Sequence, residues 1–196
     1  MVDWGMIPDA STPVPLPTVW TVGHSTRTWD EFLAVLASHN VRGIADVRRF
    51  PGSRRFPWFA SESMAGRLAE VGIAYRWLPA LGGRRAVRPG SPNGAWRTPA
   101  FQGYADHMRS DEFRHGLGEA LAMAGECRTA FMCAELLWWR CHRRLISDVL
   151  QHRGHEVLHI QDERVAQVHP GNEAAQRDGD DLVYPPMQAE LFQAGD

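Results

Sequence analysis

The chain has 196 residues, 44% of them hydrophobic, and a formal net charge of -2, which suits one domain with a real core and excludes wholesale disorder. No apolar run approaches the roughly 20 residues that a membrane span needs, and the opening stretch has neither the basic start nor the apolar centre of a secretory leader. Lysine is absent, so all 21 basic residues are arginine; Schiff-base lysine chemistry and lysine-dependent phosphate loops are excluded, and any anion must be held by arginine forks, backbone N–H groups or helix ends.

Three cysteines, an odd number, do not form a disulfide framework, and a cytoplasmic, reducing environment is expected. Charge is unevenly spread. Residues 41–104 hold eleven arginines against three acidic residues, whereas residues 160–196 hold two arginines against eight. The middle of the chain should attract anions and the end should not.

Residues 1–17 carry four prolines and read as a loose arm. Val19–Val22 reads as a first strand, with Gly23, His24 and Ser25 at its carboxyl end. Thr28 and Glu31 form a capping box, and Trp29, Phe32, Leu33 and Leu36 follow helical spacing, so a helix is expected over Trp29–His39. A second strand, Val41–Val47, ends near Asp46. The arginine- and aromatic-rich stretch Arg48–Phe59 follows, and Pro51, Gly52 and Pro57 keep it irregular. Met64, Leu68 and Val71 mark a short helix, and Ala74–Leu78 a third strand. Residues 79–97 form a second irregular, arginine-rich stretch, long enough inside a compact domain to suggest function.

Helices are expected over Phe101–Met108 and Phe113–Ala124, a fourth strand over Thr129–Cys133, a helix over Cys141–Arg153, and a fifth strand over Glu156–Ile160. Strands alternating with helices predict a single three-layer α/β/α domain over residues 18–162, with a mainly parallel sheet of about five strands. It is Rossmann-like only in the broad sense, because Gly23-His24-Ser25 is not a dinucleotide fingerprint. Residues 163–196 read as an acidic, partly irregular tail.

The stretch Met132–Arg144, MCAELLWWRCHRR, concentrates the chemistry. Cys141 at a helix start, beside Arg140, Arg143 and Arg144, is placed to favour thiolate over thiol. Cys133 at the preceding strand end can face it. His142 and Glu135 offer acid/base groups. His24 joins these as a catalytic candidate, because parallel strands bring their carboxyl ends to one edge. Ser25, Asp46, Arg48, Arg49, Ser53, Arg54, Arg140 and Arg143 are candidates for holding an anion. Trp138 and Trp139 are expected to wall the site or to pack its loop. The cysteine spacing matches neither C-x-x-C nor a common zinc pattern, so no metal ligands are assigned, and the cofactor is left open.

Taken together, T-V-G-H-S at Thr21–Ser25, D-V-R-R-F-P-G-S-R-R at Asp46–Arg55, L-G-G-R at Leu81–Arg84, C-A-E at Cys133–Glu135 and C-H-R-R at Cys141–Arg144 resemble the family catalogued as domain of unknown function 488, over about Val19 to Ile160. Many relatives have C-A-E-K-D-P where this chain has Leu136, Leu137 and Trp138. The resemblance implies a compact α/β domain with a polar pocket formed by these motifs, and it implies no reaction.

The first functional expectation is a cytosolic enzyme, of the thiolate-dependent hydrolase or transferase type, that binds a small phosphate- or nucleotide-like anion at the carboxyl edge of the sheet. The alternatives are a nucleic-acid binder using residues 48–97 and a metal or redox-sensing module built on Cys133 and Cys141. No membrane partner is expected, and the oligomeric state is left open.

Overall fold

The computed structural model describes residues 16–186. Most of the expected N-terminal arm, and residues 187–196, lie outside the described residues. The central sheet has six strands: β1 (Val19–Gly23), β2 (Gly43–Asp46), β3 (Ala74–Trp77), β4 (Thr129–Cys133), β5 (Val157–Ile160) and β6 (Ala166–Val168), in the order β3-β2-β4-β1-β5-β6. The first five are parallel, and β6 runs antiparallel to β5. This is the expected α/β class, with one strand more than the sequence suggests.

Five helices cover the sheet: α1 (Trp29–Ser38), α2 (Ser61–Glu70), α3 (Pro99–Met108), α4 (Asp111–Glu126) and α5 (Arg143–His152). Thr28 caps α1 through the expected capping box with Glu31. Alternate strand residues point to opposite faces. Val22, Ile44, Ala130 and Met132 pack under α1 and α2, whereas Ala45, Phe131 and Val157 pack under α3, α4 and α5. No helix among the described residues is long and apolar enough to cross a membrane.

This topology decides where a site can form. β4 lies between β1 and β2. The chain leaves β1 and β2 towards α1 and α2 on one face, but leaves β4 towards α5 on the other. Adjacent strands whose connections diverge open a crevice at their carboxyl ends. The carboxyl end of β4 is Cys133.

The segment after Ile160 does more than trail from the domain. It supplies β6 and a hairpin of β7 (Gln176–Asp178) and β8 (Asp181–Val183), and Leu182 and Tyr184 are buried in the core. Its anchor is Asp148 on α5. The carboxylate accepts hydrogen bonds from His169 Nε2 (2.8 Å), Tyr184 Oη (2.8 Å) and Asn172 Nδ2 (3.0 Å). Acidic composition hid this attachment, because the attaching residues are single polar side chains without periodicity.

Asp148→Ala should therefore orphan three donors, two of them buried. A loss of roughly 2–4 kcal/mol is expected, measured as a lower urea midpoint, with β6 to β8 exchanging amide protons faster than α1.

Candidate functional site

At the end of β1 the chain passes very close to the β4 loop. A Cβ on Gly23 would lie 2.1 Å from the Glu135 carbonyl oxygen, so only glycine fits there. The ladder continues beyond both strands, with His24 N–H donating to Cys133 O and Ser25 N–H to Ala134 O, each at 3.0 Å. Ser25 adopts a left-handed backbone, φ 51°, as does Arg84, φ 60°. Such conformations strain a residue with a side chain and cluster at functional loops.

Beyond β4, a 3₁₀ turn at Trp138–Arg140 carries the chain to α5. Cys141 precedes that helix and His142 is its N-cap residue, so the helix begins at Arg143, two positions later than the expected start at Cys141. Cys141 Sγ receives a hydrogen bond from Arg143 Nε at 3.5 Å and lies 3.5 Å from His142 Nδ1. His142 Nε2 donates to the Val47 carbonyl at 2.9 Å, across from the end of β2, which leaves Nδ1 facing the sulfur. A Cβ at Gly83 would come within 3.0 Å of Nδ1, so the second glycine of L-G-G-R leaves room for the imidazole. Cys133 completes the group: its sulfur, that of Cys141 and a His142 ring nitrogen lie within 4.8 Å of one another.

The electrostatics separate the two thiols. Burial pushes the Cys141 thiol up, but the neighbouring Cys133 thiol, His142 and Arg143 outweigh it, and Cys141 lies well below the ordinary thiol range. The same pairing with Cys141, together with burial, pushes Cys133 well up. Of the two thiols, the surroundings therefore favour ionisation at Cys141 over Cys133.

This group lies on the wall of a cavity of about 760 Å³. The β4–α5 connection contributes Cys133, Glu135, Arg140, Cys141 and His142, the loop after β2 contributes Arg48, Arg49 and Phe50, and Gly83, Arg84 and Phe101 close the far side. Arg49, Arg84 and Arg140 have no carboxylate partner among the described residues. Away from the cavity, Arg85, Arg109 and Arg114 are each paired with aspartate or glutamate.

Several expected anion ligands have other work. Arg48 is buried and bonds Asp46 through Nε (2.8 Å), while its Nη1 donates to His24 Nε2 (3.1 Å). Asp46 is fully buried and also accepts from Tyr75 Oη at 2.7 Å. His24 stacks on Phe59 with centroids 4.1 Å apart. His24 and Asp46 thus form a braced layer behind the cavity wall, through Arg48. Arg143 is 1% exposed, and its guanidinium donates to the carbonyls of Glu135 and Leu136 as well as to Cys141, so it holds the loop. Ser53 Oγ accepts from Phe56 N–H, and neither Ser53 nor Arg54 lines the cavity. Glu135 lines it and also accepts from Leu137 N–H at 3.2 Å.

The tryptophans do not wall the cavity. Trp138 is buried and stacks on His159, centroids 4.1 Å apart and planes 5° from parallel, while Trp139 is exposed. His159 belongs to a buried chain that composition does not reveal. Thr21 Oγ1 donates to His159 Nδ1 (2.7 Å), His159 Nε2 to His169 Nδ1 (3.0 Å), and His169 Nε2 to Asp148. Asp148, an acceptor only, sets the direction of the whole chain. The signal in the sequence was a histidine inside the apolar strand Val157–Ile160.

The sequence profile of Domain of unknown function DUF488 matches residues 28–150. The chain belongs to the DUF488 family. The DUF488 match takes in all the quoted motifs except Thr21–Ser25, which β1 nevertheless brings to the same sheet edge. Comparison with curated proteins and with solved structures gave no match.

Two outcomes follow for this DUF488 chain. Iodoacetamide at neutral pH should label Cys141 ahead of Cys133 and Cys127, with peptide mass spectrometry as the readout, and Arg143→Gln should both slow that labelling and lower the unfolding midpoint. Acid should destabilise the fold through its buried histidines. Burial and Arg48 lower His24 from 6.5 to about 4, and burial and His169 lower His159 from 6.5 to about 3. The unfolded chain therefore binds more protons below pH 6.5, and stability falls from there down to the folded values, by about 1.4 kcal/mol per pH unit for each histidine. Urea midpoints measured between pH 7 and pH 4 should show that slope, and His24→Asn should flatten it.

Proposed function

We propose that this protein is an enzyme that binds a small phosphate- or nucleotide-like anion in the cavity beside Cys141 and acts on it through that sulfur. The observation that carries the reading is the placement of Cys141, held by Arg143 and His142, on the wall of a cavity whose Arg49, Arg84 and Arg140 lack acidic partners. Arginine forks suit phosphate and carboxylate oxygens. An anion seated there presents its electrophilic atom to Sγ. The sulfur–substrate bond forms as the bond to the leaving group breaks, and His142 Nδ1 is placed to take the proton of the water or acceptor that then displaces the sulfur. Transfer to water gives a hydrolase, and transfer to another acceptor gives a transferase.

The nucleic-acid alternative has less support. Of the aromatic residues interleaved with arginine, Phe59 is buried, Trp58 and Phe56 pack against the core, and Trp96 packs on Tyr184. Phe50 and Trp77 remain exposed, a thin stacking platform for a strand.

Inorganic phosphate and pyrophosphate should protect Cys141 from iodoacetamide. Replacing Arg49, Arg84 and Arg140 together by glutamine should abolish that protection while leaving the thiol reactive. Labelling of Cys141 that is indifferent to both anions, at low and at high salt, would remove the anion-binding reading.

A further inference from the structure

The group Cys133, Cys141 and His142 has a geometry that the anion-binding reading does not use. A tetrahedral zinc ion bonds sulfur at about 2.3 Å and imidazole nitrogen at about 2.0–2.1 Å, which makes a sulfur–nitrogen edge of about 3.5 Å and a sulfur–sulfur edge of about 3.8 Å. The distance from Cys141 Sγ to His142 Nδ1 is 3.5 Å. All three ligand atoms lie within 4.8 Å of one another, so the sulfur–sulfur edge needs to close by at most about 1.0 Å and the remaining sulfur–nitrogen edge by at most about 1.3 Å.

Three further features fit a metal. His142 Nε2 donates to the Val47 carbonyl at 2.9 Å, the outer bond that fixes the tautomer of a metal-bound imidazole and leaves Nδ1 as the ligand atom. Arg143 Nε donates to Cys141 Sγ, as outer-sphere donors do to metal-bound thiolates. Finally, Cys133, Cys141 and His142 all line the cavity of about 760 Å³, so a fourth position opens onto space rather than onto another protein ligand. Three protein ligands and an open position characterise reactive rather than purely structural zinc sites.

We propose that Cys133, Cys141 and His142 form a binding site for a soft divalent cation of the zinc class, with its fourth position facing the cavity. Two thiolates cancel the charge of the ion, and Arg143 keeps its carbonyl partners. Binding releases the thiol proton of Cys133 to solvent. This goes beyond the anion-binding reading and regulates the same site. A Cys141 sulfur that ligates the cation is withdrawn from nucleophilic attack, so the cation is a brake on thiolate chemistry.

The test uses full-length protein freed of metal by a chelator. Titration with Co²⁺ should produce a thiolate-to-cobalt charge-transfer band and tetrahedral ligand-field bands that saturate at one ion per chain, and Zn²⁺ should displace them. One equivalent of Zn²⁺ should abolish iodoacetamide labelling of Cys141, and chelator should restore it. Cys133→Ser should lose the cobalt bands, and added Zn²⁺ should no longer slow its labelling relative to the same variant freed of metal. Absence of cobalt–thiolate bands in the wild-type chain overturns the proposal, as does labelling of Cys141 at full rate with Zn²⁺ present. Cobalt bands in a chain whose metal-free Cys141 is unreactive would uphold the cation site and sink the nucleophile reading. Fast labelling with no cobalt band would do the reverse.

Discussion

Arg143 is a guanidinium without a carboxylate. It is buried in the first turn of α5, where the helix dipole already disfavours a cation, and among the described residues it forms no salt bridge. Its partners are two backbone carbonyls, Glu135 and Leu136, and the sulfur of Cys141. A buried cation is costly unless it is compensated, and the sulfur of Cys141 is the partner here that can carry a compensating charge. The charge state of the cysteine and the packing of the β4–α5 connection therefore stand or fall together. The same Glu135 carbonyl presses against Gly23, so the end of β1 is shaped by the residue that Arg143 grips.

Two kinds of polar layer surround this centre. One faces the cavity, with arginines that lack acidic partners. The other lies behind it and is saturated: His24, Arg48, Asp46 and Tyr75 on one side, and Thr21, His159, His169, Asp148 and Tyr184 on the other. In the second of these, Trp138 lies flat on His159 and so pins the turn that presents Arg140 and Cys141. Rigid support of this sort is what keeps a reactive side chain in one rotamer.

The fold was largely legible because its helices and strands carry their own periodicity: the capping box at Thr28, the Leu145, Ile146 and Val149 face of α5, and the β-branched run at Val19. The convergence of His24, Asp46 and Cys133 on one edge was legible too, since parallel strands impose it. Their roles were not. A buried Asp46–Arg48 pair and a free anion clamp have identical letters. The bond from His142 to Val47 spans 95 positions, so no local pattern reports it. Cys133, Cys141 and His142 escape motif spacing for a related reason. The β4 loop and the α5 start are brought together by the turn at Trp138–Arg140, and a short fixed interval between ligands is needed only when one turn must hold them all.

The position of β4 has a consequence for how the chain reaches this state. β1 and β2 follow one another in sequence but are not neighbours in the sheet, and the strand that joins them is made more than eighty residues later. Until then their facing edges present unpaired N–H and C=O groups, and pairing them with each other would shut the seat that β4 needs. Closure of so long a loop is slow, and on the ribosome it waits for the later half of the chain. His142 comes within reach of the Val47 carbonyl only at that step, so a nascent or half-folded chain lacks the surroundings that hold Cys141.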